Sequence, residues 1–429
     1  MLARIVKLSR IRDQLLRDRW PRKGLDDELL RYVEGIIRGV RERGDKALIE
    51  FTERFDGVKL DANRLRVSPE EIEGAYDKVT DKQISAIETA KKRIYEFEKG
   101  IISRINLEYT DELGVRVWWK PQPIESVGCY VPGGRYPYPS TLIMTVIPAK
   151  VAGVQRVVVC TPPLKDGSIH PLTLIAADMC GVNEIYRVGG AQAVAAMAYG
   201  TESIKPVNKI VGPGNQYVMA AKLLVSRIVP IDHPAGPSEI MILADETANS
   251  HHVALDMISQ MEHGPGCIAI LVTTSMRLAE RVHEDIMRLA AGAMLDGDAW
   301  LLVADSLDEA VSFINCFAPE HLEVITVNAH KLAAEIRSAG LILIGDSTPV
   351  SLSDYCLGTN HVIPTGGYGH VYQPLSALDF IKFVRVAECP PEALRALSKA
   401  AIVLAESEGL TRHALAISRR VKVDGEKDN

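Results

Sequence analysis

The residue pair best placed to do chemistry is Gln260 and His263, within Ser259-Gln-Met-Glu-His-Gly-Pro265. The apolar period of the run beginning at His251 predicts a helix, and Gly264-Pro265 ends it, because glycine accepts a left-handed C-terminal conformation and proline cannot continue. Residues three apart in a last helical turn share a face, so an amide oxygen and an imidazole nitrogen can converge on one point, as two ligands of a metal ion would. The same stretch also reads as a capped helix with a solvated histidine, since glutamine is an uncommon zinc ligand. A second concentration of polar groups is the loop 346–369, dense in Pro, Gly, Ser and Asn and carrying Asp354, Asn360 and His361. A loop this long in a compact domain is functional or disordered, and its Tyr, Leu, Val and Ile content argues against disorder.

The elements that must position these groups belong to a chain of 429 residues, enough for two or three domains. A net charge of -6 over that length leaves no concentrated basic surface, so neither nucleic acid nor an anionic membrane is an expected partner. No apolar run reaches the roughly 18 residues of a membrane span. The N-terminal arginines Arg4, Arg10, Arg12, Arg17, Arg19 and Arg22 are interrupted by Asp13 and Asp18, which favours a solvated amphipathic helix over a transit peptide. Seven scattered cysteines (129, 160, 180, 267, 316, 356, 389) without a C-x-x-C pair suggest neither a disulfide framework nor a thiolate zinc site, and fit a reducing cytoplasm.

Apolar spacing makes residues 4 to about 104 read as helical, with helices over 27–42, 46–54 and 82–101 and a capped start at Ser68-Pro69-Glu70-Glu71. Residues 115–120 alternate like a short strand, and Pro121-Gln122-Pro123 marks a change of domain. From 124 onward β-branched runs at 124–131, 156–160, 184–188 and 209–211 alternate with helical runs at 142–152, 171–179, 192–199 and 216–225. A second strand series follows at 239–243, 267–273, 300–303, 321–327 and 341–345. Such alternation predicts parallel sheets wrapped by helices. The chain turns helical again from 378, with a helix from Pro390-Pro391-Glu392 through Glu406 and another to Val421, and 424–429 fray.

The expected fold class is therefore α/β: two tandem Rossmann-like doubly wound units lacking the G-x-G-x-x-G fingerprint, with a helical N-terminal segment and a helical C-terminal tail. The expected domains are 1–22 (helical segment), 23–123 with 237–377 (first α/β domain), 124–236 (second α/β domain) and 378–429 (tail). Glycine and proline cluster where strands of the second domain end, at Val131-Pro-Gly-Gly134, Val188-Gly-Gly-Ala191 and Gly212-Pro-Gly-Asn215. These are either tight turns or loops letting backbone approach an extended cofactor beyond the carboxyl ends of the strands.

Eight motifs then fall in one order: Gly128-Cys-Tyr-Val-Pro-Gly-Gly-Arg135, Val188-Gly-Gly-Ala-Gln-Ala193, Gly212-Pro-Gly-Asn215, Gly236-Pro-Ser-Glu239, Gln260-x-Glu-His263, Ala318-Pro-Glu-His-Leu-Glu323, Asp354-Tyr-x-x-Gly-Thr-Asn-His361-x-x-Pro-Thr365 and Glu408-Gly-Leu-x-x-His413. Together, over about residues 124 to 413, they resemble the histidinol dehydrogenase family. The resemblance implies oxidation of L-histidinol to L-histidine through L-histidinaldehyde in two successive NAD-dependent steps, ending histidine biosynthesis. It further implies one zinc per subunit and an intertwined homodimer with shared active sites.

By the same resemblance Gln260, His263, Asp354 and His413 hold zinc, joining a helix end, a loop and the tail. Glu320 and His321 are the reacting pair, His321 taking the hydroxyl proton and Glu320 that of the water added to the aldehyde. Ser238, His361 and Glu408 join the zinc ligands and the reacting pair as substrate contacts, and Tyr130, Gln192 and Asn215 contact NAD. A thiohemiacetal at Cys129 is the competing route for the aldehyde, disfavoured because nothing basic lies beside that thiol. The chain departs from the family pattern at Ser353, where glycine is common, at Tyr136, where a small residue is usual, and at Gly367-Tyr-Gly-His-Val-Tyr372. The competing functions are a paralogous zinc- and NAD-dependent dehydrogenase of another small polar alcohol, such as a sulfonated diol, and a catalytically silent zinc-stabilised binding protein.

Overall fold

Short runs rich in Val, Ile and Leu, such as Arg156–Thr161 and Cys267–Thr273, build the parallel sheets, since a strand covered by helices on both faces has little side to leave polar. The computed structural model describes residues 3–18, 25–105, 107–133, 136–264, 266–291 and 297–421. The features expected at Arg19, Arg22, Gly134, Arg135, Pro265 and 424–429 lie outside them. The strands are β1 (Ala3–Lys7), β2 (Glu108–Thr110), β3 (Arg116–Pro123), β4 (Ser126–Tyr130), β5 (Arg156–Thr161), β6 (Glu184–Arg187), β7 (Lys209–Val211), β8 (Glu239–Ala244), β9 (Cys267–Thr273), β10 (Gly297–Val303), β11 (His321–Ile325), β12 (Leu341–Ile344) and β13 (Ile381–Glu388).

The chain divides into two units, Met1–Ile102 with Ile124–Phe380, and Ser103–Pro123 with Ile381–Asn429. The first holds both expected parallel sheets, one in the order β1-β10-β9-β8-β11-β12 and the other β6-β5-β4-β7. In the larger sheet Ile240, Ile242, Ala269 and Leu271 enter one apolar cluster, while Met241, Leu243, Ile270 and Val272 enter another. Successive residues feed opposite clusters because side chains alternate along a strand, so helices cover both faces. Among the described residues no helix is long and apolar enough to cross a membrane.

Three elements differ from the sequence expectation. Residues 3–7 form β1, parallel to β10 at the sheet edge, instead of starting a helix; the helix begins only at Leu8 (Leu8–Asp18). The run is too short for a period to distinguish strand from helix, and its partner lies almost 300 residues away in sequence. Residues 381–388, read as helical, form β13, antiparallel to β3 from Ile381↔Pro123 to Glu388↔Arg116. Strand β3 runs through Pro121 and Pro123 because β2 pairs only with Arg116–Trp118, so beyond that point β3 has a single neighbour and fewer donors are needed. These strands and the helices Pro391–Ser407 and Thr411–Val421 make up the described part of the second unit.

The third difference concerns the early helices. Residues 23–123 were expected with 237–377, yet Val33, Ile36, Ile37 and Val40 of the helix Asp27–Arg43, with Leu48 and Phe51, share a core with Val158, Cys160 and the helix Gly190–Tyr199. The latter helix offers a run of alanines, and small side chains let an apolar stripe approach closely. Helical period predicts such a stripe but not which surface it meets.

Candidate active site

A cavity of about 1280 Å³ opens within the first unit, and the two sheets present opposite ends to it. From the smaller sheet come Pro132 after β4 and the Gly212–Tyr217 segment after β7, at the carboxyl ends of strands as expected. From the larger sheet come Ser238 before β8, Cys267 at the start of β9, and Glu320 and His321 at the start of β11, all at amino ends. The reactive groups are thus assembled at the end opposite to the one the open-sheet rule favours.

Gln260 closes the helix Ser250–Met261 and is 1% exposed, while His263 follows two residues after that helix ends, solvent-accessible and lining the cavity. Gly264 takes the positive φ of 117° that turns the chain out of the helix. Asp354 sits in the short helix Val350–Tyr355, with its side chain 18% exposed and its carboxyl pushed up to about 7 by burial.

His321 is 3% exposed. Its Nδ1 lies 3.3 Å from the carbonyl of Glu239, and since a carbonyl only accepts, Nδ1 carries the proton. Nε2 is left with a lone pair, buried and without a hydrogen-bond partner among the described residues, 3.9 Å from Asp354 Oδ1. Burial holds the ring neutral, with its pKa lowered to about 3. The adjoining Glu320 carboxyl is raised well above its ordinary value by burial and by the charges of Glu239 and Asp354. Its Oε2 is 3.6 Å from His321 Nδ1. The turn that brings both side chains to the cavity runs through Ala318, whose φ of 50° is left-handed, and Pro319.

The family model for histidinol dehydrogenase matches residues 21–421. A curated histidinol dehydrogenase of Archaeoglobus fulgidus is 44% identical over 401 residues, covering 92% of this chain and 96% of that protein. One from Methanothermobacter thermautotrophicus is 47% identical over 409 residues, covering 92% and 94%. The crystal structure of a histidinol dehydrogenase from Elizabethkingia anophelis superposes with a TM-score of 0.91 at 35% identity, covering 98% of each chain. The chain belongs to the histidinol dehydrogenase family. Its members are oxidoreductases, which fits a buried neutral base facing a cavity.

The structure brings Asn215, Ser238, Gln260, His263, Glu320, His321, Asp354 and His361 to the cavity wall. Tyr130 and Gln192 are buried, at 4% and 1% exposure, and do not line it. The Tyr130 hydroxyl accepts from the Gly190 N–H at 3.1 Å, tying β4 to the helix Gly190–Tyr199. Both amide atoms of Gln192 lack partners among the described residues. Asn215 caps its helix, Gln216–Val225, by accepting from the N–H groups of Tyr217 and Val218 at 3.0 and 3.1 Å. Glu408 and His413 belong to the second unit, both exposed, at the end of one helix and in the first turn of the next.

Zinc is tested by the chemistry of the donors present. Among the described residues no three His, Cys, Asp or Glu side chains stand together as an ion site. Within the first unit the implied set supplies only two such groups, His263 and Asp354, its third donor being the Gln260 amide. The Nε2 lone pair of His321 lacks a partner, and Asp354 is half-buried with no Lys or Arg pairing it among the described residues. A largely desolvated carboxyl beside the unshared lone pair of His321 Nε2 is a site short of positive charge, and the His263 imidazole with the Gln260 amide oxygen completes an N/O donor set that suits zinc. The residues fit the ion.

Sequence reading missed the groups behind these. Glu239, 6% exposed, bonds to both Glu320 and His321. Lys222 and Asp232 form a buried ion pair on the cavity wall, and Lys222 Nζ also donates to the Gly212 carbonyl at 2.8 Å. A lone lysine in the apolar run 218–225 was the available signal. The family departures have local roles. Ser353 Oγ donates to the Val350 carbonyl at 2.7 Å, Tyr136 lines a second cavity of about 200 Å³ beside Pro132 and Gly133, and Tyr372 packs 6.5 Å from the His233 ring.

Proposed function

We propose that the chain oxidises L-histidinol to L-histidine through L-histidinaldehyde, by two successive hydride transfers to NAD, as the last step of histidine biosynthesis in the cytoplasm. The observation that carries this reading is the neutral, unpartnered Nε2 of His321 facing the cavity beside Asp354. In the first oxidation His321 Nε2 takes the hydroxyl proton as the carbon loses hydride. In the second, water adds to the aldehyde and gives its proton to Glu320, whose raised pKa makes its ionised form a stronger base than an ordinary glutamate.

Ser238, His361 and Glu408 orient the amino alcohol through its amine and imidazole. Gln260, His263, Asp354 and His413 would hold zinc, which would supply a fixed positive charge for the substrate nitrogens. Tyr130, Gln192 and Asn215 would seat NAD, which would supply the hydride acceptor for both oxidations. In this reading 124–236 carry the cofactor loops, 237–377 the metal and reacting residues, and 378–429 the tail groups Glu408 and His413. The active sites are shared in an intertwined homodimer, which the exposed Val403, Leu404 and Leu415 of the tail helices, at 53%, 62% and 53%, support as a surface for a second copy.

The test is an assay with zinc, NAD and L-histidinol, following reduced nicotinamide. Two NAD reduced per histidinol is the expected result, and His321→Gln lowers the alcohol step by roughly a hundredfold to ten-thousandfold. Far better turnover of a sulfonated diol overturns the substrate assignment. Folded, zinc-loaded protein without any turnover overturns the activity.

A further inference from the structure

We infer that Glu239 is the positioning residue of the reacting pair, fixing Glu320 and His321 together through both its backbone and its carboxylate. The inference rests on the oxidation proposed above and names what holds its two proton acceptors in place.

The β8–β11 ladder begins at the pair Ile240↔His321. One residue before it, Glu239 and Glu320 stand side by side and exchange side-chain bonds in place of ladder bonds. The Glu239 N–H donates to Glu320 Oε2 at 2.7 Å, and the Glu320 N–H donates to Glu239 Oε2 at 3.3 Å. The Glu239 carbonyl accepts from His321 Nδ1 at 3.3 Å, which selects the tautomer that leaves Nε2 free. The remaining carboxylate oxygen, Oε1, accepts from the Gly366 N–H at 3.1 Å. One buried residue therefore joins three segments: β8, the turn carrying the pair, and the loop after His361.

The turn needs such an anchor. Ala318 is held in a left-handed conformation and Pro319 has no N–H, so Glu320 carries the first backbone donor after Ala318. Gly366, with a φ of 62°, is likewise in a conformation that only glycine adopts readily. Two buried N–H groups converge on one carboxylate, and a carboxylate has acceptors for both. An amide has one accepting oxygen and turns its NH₂ against the second N–H.

Glu239→Gln is expected to lower kcat about a hundredfold for both oxidations, measured separately from L-histidinol and from L-histidinaldehyde, because a reacting group displaced by a fraction of an ångström loses that much. KM for NAD stays within about twofold and zinc content is unchanged, since Glu239 is among neither set of contacts, and KM for substrate moves far less than kcat. Added to Glu320→Gln, the substitution costs little more in the aldehyde step, the signature of a residue acting through another. Should Glu239→Gln not fold, Glu239→Asp keeps the charge one methylene short of both N–H groups and gives the same kinetic pattern. Wild-type kcat in both steps, a rise in KM alone, or full additivity with Glu320→Gln overturns the inference while leaving the oxidation standing. Wild-type protein inactive on both substrates overturns the oxidation and, with it, this role.

Discussion

His361 donates from Nδ1 to the backbone carbonyl of Asp354 at 2.8 Å, so one hydrogen bond ties an imidazole of the cavity to the helix bearing a carboxylate of the same site. The other ring nitrogen, Nε2, then accepts from the Thr141 hydroxyl at 3.2 Å. Thr141 belongs to the helix Pro139–Ala152, which follows β4 of the smaller sheet, so His361 is held between the two sheets' surroundings. Thr141→Val removes the donor and keeps the shape. The expected result is a rise in KM for L-histidinol of roughly threefold to tenfold, the worth of one net hydrogen bond, with kcat little changed. Steady-state kinetics check it.

Cys129 is fully buried within β4, and burial pushes its thiol up to about 12. A thiol that does not ionise near neutral pH is a poor nucleophile. Cys129→Ala should therefore keep both oxidations within about twofold while costing on the order of 1 kcal/mol of stability for the lost packing. Loss of the aldehyde step alone, in folded and zinc-loaded protein, would instead establish a thiohemiacetal at this residue.

The Lys222–Asp232 pair is buried on both sides, with side chains 2% and 1% exposed. Burial alone would raise the Asp232 pKa, but Lys222 and His233 hold it below its ordinary value. Lys222→Met leaves that carboxylate unpaired and should cost about 3–5 kcal/mol in denaturant unfolding, whereas Lys222→Met with Asp232→Leu should recover much of it. Because Asp232 also accepts from the Gly212 N–H at 2.8 Å, the single substitution should weaken NAD binding as well.

Glu98 is 1% exposed and accepts from the Ala377 N–H at 2.7 Å, and burial raises its pKa from 4.5 to about 7. The folded protein therefore holds a proton that the unfolded chain releases earlier. Stability associated with the neutral carboxyl is intact below about 4.5 and declines as pH climbs through about 7, by up to ~3 kcal/mol from this group. Glu98→Gln should flatten that decline in thermal melts taken across the window, and an unchanged slope would show that another group sets it.

Much of this architecture is legible in the residues themselves. Strands such as Arg156–Thr161 and Cys267–Thr273 are β-branched runs bounded by glycine, proline or serine, and the box at Ser68 and Glu71 forms as its spacing predicts. What escapes is whatever depends on a distant partner. β1 and β13 are short, partly exposed strands whose identity comes from pairing with β10 and β3. The stripe Val33, Ile36, Ile37 and Val40 declares a helix but not the alanine face it meets. At the site, motif order exposes Glu320 and His321, while Glu239, though it stands in the Gly236-Pro-Ser-Glu239 motif, receives no role there because its exchange of N–H and carboxylate with Glu320 depends on a strand pairing that no spacing encodes.

Ala318, with its φ of 50°, is the sole described non-glycine residue in the left-handed region, two positions ahead of Glu320. Consecutive residues of an extended chain would otherwise look away from each other, so the shared facing of Glu320 and His321 into one cavity depends on this kink being at a fixed count from the sheet. A single-residue insertion or deletion between 318 and 321 is expected to leave the apolar clusters on the two faces of the sheet in place while turning one of the two side chains away from the cavity, so the length of chain at this corner matters as much as the residues it carries.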